Sequence, residues 1–298
     1  MQFQGVLKLL FVINPVSGGK EKNDWEQVIR DYFKDYPHKV EFYVLSGEND
    51  LTSVKHYIDR LKPDRVVAVG GDGTVKMLAQ LLINTPHYLG IIPAGSANGM
   101  AKELNIPPEI LPSLDIIING VCKKIDLLRI NNEICIHLSD LGMNAMLVKN
   151  FERSGKRGMW GYARAVLSVL WNRKLIYATI STDRDKFIRK AYMIVIANAR
   201  TYGTGAIINP EGSLYDGCFE VVVIRKLSVW ELFKMLITHK PFDNKCIEVF
   251  QTKKLDIETN GKAYFQVDGE YRDRVNSIHS EILPGALHVL LPANQAEQ

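Results

Sequence analysis

Short apolar runs alternate with amphipathic segments along the first part of the chain. The run Arg65–Gly70 is typical of a strand buried on both faces, and Thr74–Asn84 repeats apolar residues at helical spacing. The pattern predicts strands at Val6–Asn14, Lys39–Leu45, Arg65–Gly70 and Leu89–Pro93, and helices at Asn23–Tyr36, Leu51–Leu61, Thr74–Asn84, Ala97–Leu104 and Ser113–Asn119. Alternation of this kind predicts a parallel sheet covered by helices on both faces.

After about residue 122 the pattern changes to a dense succession of short strand-like runs, which indicates a mostly antiparallel β domain. These runs are Lys124–Ile130, Ile134–Leu138, Leu175–Thr182, Ala191–Asn198, Phe219–Ile224, Lys245–Phe250, Lys254–Thr259, Tyr264–Val267 and Leu287–Leu291. Helices are predicted near Met159–Trp171 and Ser228–Thr238. We therefore expect an α/β N-terminal domain at residues 1–122 and a mostly antiparallel β C-terminal domain at 123–284.

The composition is that of an ordinary soluble globular protein. The 298 residues are 46% hydrophobic and 23% charged, and the net charge of +4 permits an anionic partner without requiring one. The four cysteines form no Cys-x-x-Cys pair, which argues against a zinc site. The N-terminus lacks a signal-peptide pattern, and no run reaches the roughly 18–20 apolar residues of a membrane span. We expect a cytoplasmic protein with no nucleic acid partner.

The segment Gly70–Thr74 joins a buried strand to a helix through glycines. Such a turn lets the backbone approach a phosphate, and the helix start offers free N–H groups and the positive end of a dipole. Asp72 places a carboxylate in this turn, which fits polyphosphate only with a cation such as Mg²⁺ or with a role in the chemistry. The alternative is a tight turn capped by Asp72.

Two further loops of this kind follow predicted strands, at Asn14–Lys20 and at Ala94–Gly99. The carboxyl ends of parallel strands meet at one edge of a sheet, which is where open α/β folds bind ligands. Lys20 does not belong to a Walker A motif, because the required spacing from an earlier glycine is absent.

Two acidic segments occur late in the chain. Asp268 and Glu270 are two residues apart, so in an extended strand both carboxylates would face one cleft. The residues alone favour the alternative, a hairpin turn at Asp268-Gly269 with solvated acids. Asp216-Gly217 is a second Asp-Gly pair and by itself is typical of a turn.

The three loops, taken in order, resemble those of the diacylglycerol kinase catalytic family, which includes sphingosine and ceramide kinases and bacterial lipid kinases. Asn209–Gly217 and Val267–Glu270 match later parts of the family pattern, so the resemblance spans nearly the whole chain. It implies an NAD kinase/diacylglycerol kinase-like fold, with nucleotide bound by residues 1–122 and lipid by residues 123–284. It also implies that the segment 285–298 returns to the first domain.

The resemblance implies an ATP- and Mg²⁺-dependent lipid kinase that phosphorylates the primary hydroxyl of a diacylglycerol-like or related lipid. Such an enzyme would make peripheral contact with the inner membrane surface, and the resemblance allows a homodimer. The alternatives are a sphingoid-base or ceramide kinase, an NAD kinase, and a non-catalytic lipid- or nucleotide-binding protein.

Residue roles follow from the same resemblance. Asp268 is expected to be the general base and Asp72 to position Mg²⁺ and the phosphates, although these two roles can be reversed. The expected nucleotide-binding residues are Asn14, Ser17, Gly18, Gly71, Gly73, Thr74, Ser96, Asn98, Arg157, Arg164 and Glu270. The expected metal ligands are Asp72, Glu270, Ser213, Asp216 and Cys218, the last three at a second, structural Mg²⁺.

Three other features bear on the substrate and the membrane. Gly99 stands where many bacterial lipid kinases have aspartate. Asn144 and Met146 stand where acids that can hold a sphingoid amine often occur, which weakens the sphingosine interpretation. The segment Lys149–Lys174 is basic with interleaved aromatic residues, so it either contacts an anionic membrane or is a solvated face.

Overall fold

A computed structural model describes residues 5–17, 24–154, 174–200, 207–226 and 245–293, without the side chains of 150–154. The chain forms two compact units, Met1–Ile125 with Gly285–Gln298, and Asp126–Pro284. Among the described residues, no helix combines the length and hydropathy that crossing a membrane requires.

Within the described residues, the sheet of the first unit contains the parallel strands β1 (Lys8–Ile13), β2 (Lys39–Val44), β3 (Arg65–Gly70) and β4 (Tyr88–Pro93), in the order β2-β1-β3-β4. The end of the long strand β14 (Glu270–Leu291) lies beside β4, also in parallel, with Val289 opposite Leu89. The further elements are α1 (Trp25–Phe33), α2 (Asp50–Leu61), α3 (Asp72–Leu82), α4 (Gly99–Glu103) and α5 (Ile110–Asn119). β5 (Val121–Ile130) starts in this unit and ends in the second.

Burial explains why the sequence patterns of this unit are clear. All six residues of β3 are buried, as expected of a central strand covered on both faces. Phe11 of β1 packs edge-on against Phe33 of α1 with 5.8 Å between ring centroids. The continuous apolar runs in the sequence therefore correspond to the buried strands after which the candidate loops begin.

The elements of the second unit are β6 (Glu133–Cys135), β7 (Leu138–Gly142), α6 (Met143–Ser154), β8 (Ile176–Thr182), β9 (Lys186–Ala191), β10 (Met193–Ala197), β11 (Phe219–Ile224), β12 (Ile247–Thr252), β13 (Lys254–Val267) and most of β14 (Glu270–Leu291). They form mainly antiparallel pairs in the order β12-β11-β10-β7-β13-β14, with β8 pairing β13 and β9. The predicted fold class, an α/β unit with a parallel sheet and a mostly antiparallel β unit, is confirmed.

Several element predictions in the second unit were wrong or incomplete. The predicted strand Ile134–Leu138 spans the end of β6, a break at residues 136–137 and the start of β7, and neither α6 nor β9 was predicted. β14 runs for 22 residues, although only Leu287–Leu291 was predicted, because its first half is largely exposed and charged. The predicted helices near Met159–Trp171 and Ser228–Thr238 lie outside the described residues.

Candidate active site

Three loops of the first unit lie at the carboxyl edge of its sheet, as the alternation of strands and helices predicted. They follow β1, β3 and β4 and begin at Asn14, Gly71 and Ala94. The Asn14 backbone N–H donates to the Val69 carbonyl at 2.9 Å, and the Ala94 N–H donates to the Gly70 carbonyl at 2.9 Å. The sheet ladder thus continues into all three loops and fixes their starting points.

Asn14 connects the first loop to the second. Its Nδ2 group donates to Thr74 Oγ1 at 3.3 Å, and its Oδ1 accepts from the Val16 N–H at 3.1 Å. The Ser17 N–H donates to the Asn14 carbonyl at 3.2 Å. Asn14, Ser17 and Thr74, all expected in the nucleotide site, are therefore brought together at this edge.

Gly71 and Gly95 bring the second and third loops into backbone contact. A Cβ atom built on Gly95 would lie 2.4 Å from the Gly71 Cα atom, and one built on Gly71 would lie 3.2 Å from the Gly95 Cα atom. Because the obstructing atoms are backbone atoms, no side-chain rotation relieves the overlap. Glycine at position 95 is thus required by packing, a role that the sequence did not predict.

Asp72 joins the second loop to α4, which follows the third loop. Its Oδ2 accepts from the Gly99 N–H at 3.0 Å, and its Oδ1 accepts from the Met100 N–H at 2.9 Å. A carboxylate at a helix N-terminus satisfies amides that lack an intrahelical partner and meets the positive end of the helix dipole. Asp72 therefore caps α4 as well as beginning α3.

The start of α3 fits a phosphate group. Gly73 is exposed, and a Cβ built on it would meet nothing within 4 Å, so open space adjoins the backbone there. At the start of this 11-residue helix the Thr74 and Val75 N–H groups donate to the Gly71 carbonyl at 3.0 and 3.1 Å, so the N–H groups of Asp72 and Gly73 are the ones that this end offers to an anion. Ser96 is exposed in the neighbouring loop, and the Asn98 side chain bonds to both the N–H and the carbonyl of Gly95 at 2.8 Å. Asn98 therefore orders its own loop.

The geometry expected for Asp268 and Glu270 was wrong. Val267 pairs with Glu270, and the two residues between them have positive φ values, 51° for Asp268 and 82° for Gly269. The segment is a two-residue hairpin turn between β13 and β14, the alternative that the Asp-Gly pair itself favoured. The two acids therefore do not lie side by side on one strand.

The Asp268 carboxylate is surrounded by hydrogen-bond donors. Oδ1 accepts from the His137 N–H at 2.9 Å and from the Cys135 thiol at 3.2 Å, and Oδ2 accepts from the Ile136 N–H at 3.2 Å. The Asp268 N–H donates to the Leu138 carbonyl at 2.9 Å. These contacts hold a half-buried carboxylate in one orientation, and nothing local in the sequence indicated them.

Glu270 is held by an arginine that the sequence analysis did not single out. Arg272 contacts Glu270 and forms a two-pronged ion pair with Glu133, with both N–O distances 2.7 Å. The Glu270 side chain is 51% exposed. The bond to Glu133, together with that to Glu270, raises the pKa of Arg272. Arg272 follows Glu270 by two residues on β14, a spacing at which side chains share a face.

The Asp216 loop is held by hydrogen bonds within the loop and by one from Gln251 of β12. Asp216 Oδ1 accepts from the Cys218 N–H at 3.0 Å, and Oδ2 accepts from the Gln251 amide at 2.8 Å. Ser213 Oγ accepts from the Tyr215 N–H at 3.2 Å. The structure thus brings Ser213, Asp216 and Cys218 into one loop, and their role as ligands of a structural Mg²⁺ stays a prediction.

The fit of the residues to Mg²⁺ differs between the loops. Across the part of the chain that the structure describes, no three His, Cys, Asp or Glu side chains form a group that could hold a metal ion. Mg²⁺ that accompanies a nucleotide needs only one or two carboxylates, since phosphates and water complete the octahedron. An ionised carboxylate has about four lone-pair sites. Asp72 therefore fits such an ion as a single protein ligand. Gly18, Arg157 and Arg164, predicted at the nucleotide, lie outside the described residues.

Two family profiles match the chain. The diacylglycerol kinase catalytic domain matches residues 8–130, and the YegS C-terminal NAD kinase beta sandwich-like domain matches residues 140–291. A diacylglycerol kinase of Bacillus subtilis is 24% identical over 96% of this chain and 97% of its own length.

Solved structures agree on the fold. A diacylglycerol kinase structure from Bacillus anthracis has a TM-score of 0.73 at 20% identity, covering 95% of this chain and 96% of that one. An NAD kinase from Archaeoglobus fulgidus in complex with ATP has a TM-score of 0.56 at 14% identity, covering 95% and 93%. On the family matches, with the loops and the two-unit fold, the chain belongs to the diacylglycerol kinase family of lipid kinases.

Proposed function

We propose that the protein transfers the γ-phosphoryl group of ATP, with Mg²⁺, to the primary hydroxyl of a diacylglycerol-like lipid. The observation that carries the proposal is the edge of the first unit, where Asp72 and the Gly71–Gly95 contact join the loops beside the exposed start of α3. A kinase needs such a preorganised set of donors, because phosphoryl transfer depends mainly on positioning and electrostatic stabilisation.

In this proposal the first unit positions the nucleotide phosphates. The N–H groups of Asp72 and Gly73 at the start of α3 donate to phosphate oxygens, and the open space at Gly73 admits the phosphate. Asn14 holds Thr74 in place and so fixes the first turn of the helix. Mg²⁺, when bound, would neutralise phosphate charge. Asp72 is the residue of the first unit that would hold it, and the expected contribution of Glu270 to the metal is tested separately by Glu270→Gln.

Asp268 is proposed as the general base. The lipid hydroxyl oxygen attacks the γ-phosphorus, the bond from that phosphorus to the ADP oxygen breaks, and the hydroxyl proton passes to the Asp268 carboxylate. The products are ADP and a lipid phosphate monoester. The donors from Cys135 to His137 support this role by fixing the direction of the carboxylate before the substrate arrives.

The surroundings of Asn144 favour a neutral glycerolipid over a sphingoid base. The nearest acid along the chain is Asp140, whose side chain is fully buried and accepts from the Asn144 amide at 2.6 Å and from the Gln266 amide. A buried carboxylate that already accepts two amide bonds is poorly placed to bind an amine from outside.

The proposed location follows from the substrate. A lipid with two acyl chains stays in a bilayer, so we propose that the protein works in the cytoplasm and makes peripheral contact with the inner membrane surface.

Labelled ATP tests the whole proposal. The protein is incubated with γ-labelled ATP, Mg²⁺ and, separately, diacylglycerol, monoacylglycerol, sphingosine, ceramide, phosphatidylglycerol and NAD, and the labelled product is identified. Label in phosphatidic acid is the expected result. Label only in NADP would support an NAD kinase instead, and label in no acceptor would support a non-catalytic binding protein.

A further inference from the structure

A cavity of about 440 Å³ lies within the second unit, among the end of β7, the middle of β13, the start of α6 and the start of β8. Its apolar lining includes Met143 and Met146 of α6, Leu175, and Ala263 of β13. Leu175 is 43% exposed, and Tyr177 beside it is 44% exposed. Apolar surface thus extends from the cavity onto the outside of the unit, where water is its alternative partner.

Within the described ranges, the charged residues that line this cavity are the cations Lys174, Lys262 and Arg274. Within the part of the chain that the structure describes, none of the three forms an ion pair with a carboxylate. Elsewhere on the same unit, cations such as Arg189 and Arg272 do pair with carboxylates. Among the described residues, the positive charge at this cavity is therefore not balanced by an ion pair.

Arg274 is held in a fixed position at this site. It lies opposite Tyr264 in the β13–β14 ladder, with its guanidinium carbon 5.2 Å from the Tyr264 ring centroid. Its Nε and Nη2 atoms donate to the Lys262 carbonyl at 3.2 and 2.6 Å. Lys149 approaches the same ring, with Nζ 4.7 Å from the centroid. Guanidinium has five N–H donors, so this anchoring leaves donors for an anion.

We propose that this cavity binds one anionic phospholipid of the membrane. The phosphate lies against Lys174, Lys262 and Arg274, and the glycerol and upper acyl carbons lie over Met146, Leu175 and Tyr177. Cations combined with apolar and aromatic residues at the surface are the chemistry that recognises an anionic bilayer. The inference rests on the proposed function only for the membrane location, and it gives that contact a specific site.

Vesicle binding without ATP tests the site. Wild-type protein should bind vesicles of phosphatidylcholine mixed with phosphatidylglycerol and bind pure phosphatidylcholine vesicles weakly. Arg274→Gln and Lys262→Gln should each weaken binding to the mixed vesicles about fivefold, which corresponds to about 1 kcal/mol for one cation near an anionic surface. The matched control is Lys55→Gln, which removes one exposed cation of α2 in the first unit and should change binding little.

Two further experiments distinguish binding of a lipid from binding of free phosphate. Leu175→Ser should weaken vesicle binding, whereas Leu111→Ser, at a residue 57% exposed in the first unit, should not. Dihexanoyl phosphatidylglycerol should release bound protein at concentrations where inorganic phosphate does not. Release by phosphate alone, an unaffected Arg274→Gln variant, or equal loss in Lys55→Gln would each overturn the proposal.

The outcome can be distinguished from failure of the proposed function. Phosphoryl transfer to detergent-dispersed diacylglycerol is measured on the same variants. Normal transfer with unchanged vesicle binding in Arg274→Gln would overturn this site alone, and absent transfer in the wild type with cation-dependent vesicle binding would overturn the kinase proposal alone.

Discussion

The two candidate catalytic carboxylates, Asp72 and Asp268, have similar contacts in different settings. Each accepts hydrogen bonds from two successive backbone amides, Gly99 and Met100 for the first and Ile136 and His137 for the second. Asp72 begins one helix and caps another, whereas Asp268 has a φ of 51° in a hairpin turn and also accepts from the Cys135 thiol.

Because their surroundings differ, we expect the Asp72 and Asp268 carboxylates to have different functions. Capping α4 makes Asp72 part of the support of two loops at the proposed phosphate site, so its loss should disturb nucleotide binding and stability together. Asp268 orients no helix, and the turn around it is defined by the β13–β14 pairing. Its loss also deprives the Ile136 and His137 amides of an acceptor and so lowers stability, but we expect the larger effect to be on the chemistry. We therefore keep Asp268 as the proposed base.

The largest effect is expected from Asp268→Asn. Asparagine tolerates a positive φ and nearly fills the same space, but it cannot take the hydroxyl proton. Turnover should fall about 10²–10⁴-fold while ATP affinity changes little. The measurements are the saturated rate and the ATP dissociation constant.

The matched control for that variant is Asp273→Asn, which alters an exposed aspartate with a φ of 70° four residues past Gly269. It should retain the wild-type rate. If Asp268→Asn binds ATP poorly yet turns over normally at saturation, Asp268 belongs to the nucleotide site and Asp72 becomes the preferred base.

Asp72→Asn should weaken both ATP binding and the fold. The amide oxygen can accept one of the two N–H groups, and the amide nitrogen would face the other without a bond. Hydrogen bonds to charged groups contribute about 1.5–3 kcal/mol, so urea unfolding should show a loss of about that size. Asp35→Asn, at an exposed aspartate, should leave stability unchanged. A fully stable Asp72→Asn variant would contradict the capping role.

Two glycine variants separate packing from ligand access. Gly95→Ala should lower stability, because its Cβ would overlap the Gly71 Cα atom. Gly73→Ala should preserve or slightly raise stability, by up to about 1 kcal/mol for alanine in a helix, yet weaken ATP binding if phosphate occupies the open space there. Equal ATP affinity in Gly73→Ala and wild type would remove phosphate from that position.

The smallest stability effects are expected at Glu270. An exposed ion pair contributes up to about 1 kcal/mol, so the free energy of unfolding of Glu270→Gln should be close to that of the wild type. Arg272→Gln should lose somewhat more, because it also breaks the ion pair with Glu133. Their Mg²⁺ dependence should differ. Glu270→Gln should require more Mg²⁺ for half-maximal rate, and Arg272→Gln should require no more than wild type, because it releases Glu270. Identical Mg²⁺ curves would remove Glu270 from the metal.

The loops of the first unit could be predicted from sequence because the residues that indicate each loop lie close together in the chain. The buried run Arg65–Gly70, the glycines after it and the apolar spacing of α3 lie within one short stretch, and burial of both sheet faces makes such runs continuous. The contacts of Asp72 could not be predicted, since its partners are 27 and 28 residues away. The same holds for the contact between Gly71 and Gly95.

The second unit was harder to predict for a related reason. The first half of β14, including Arg272 and Arg274, is largely exposed, so its strand is defined by pairing with β13 and by cross-strand contacts rather than by an apolar pattern. The Asp268-Gly269 pair did carry a turn signal, and the residues alone favoured a hairpin turn, but the family resemblance led to the expectation that both acids face one cleft. The donors from Cys135 to His137 reach Asp268 only through tertiary pairing.

One measurement tests the central claim most directly, that Asp72 supports the nucleotide site and Asp268 serves the chemistry. Single-turnover transfer of label from ATP to diacylglycerol is followed for both asparagine variants as the ATP concentration is raised. The account predicts that Asp72→Asn approaches the wild-type rate at high ATP, whereas Asp268→Asn stays slow at every concentration. A slow Asp72→Asn variant at saturating ATP, beside an Asp268→Asn variant that recovers, would contradict it.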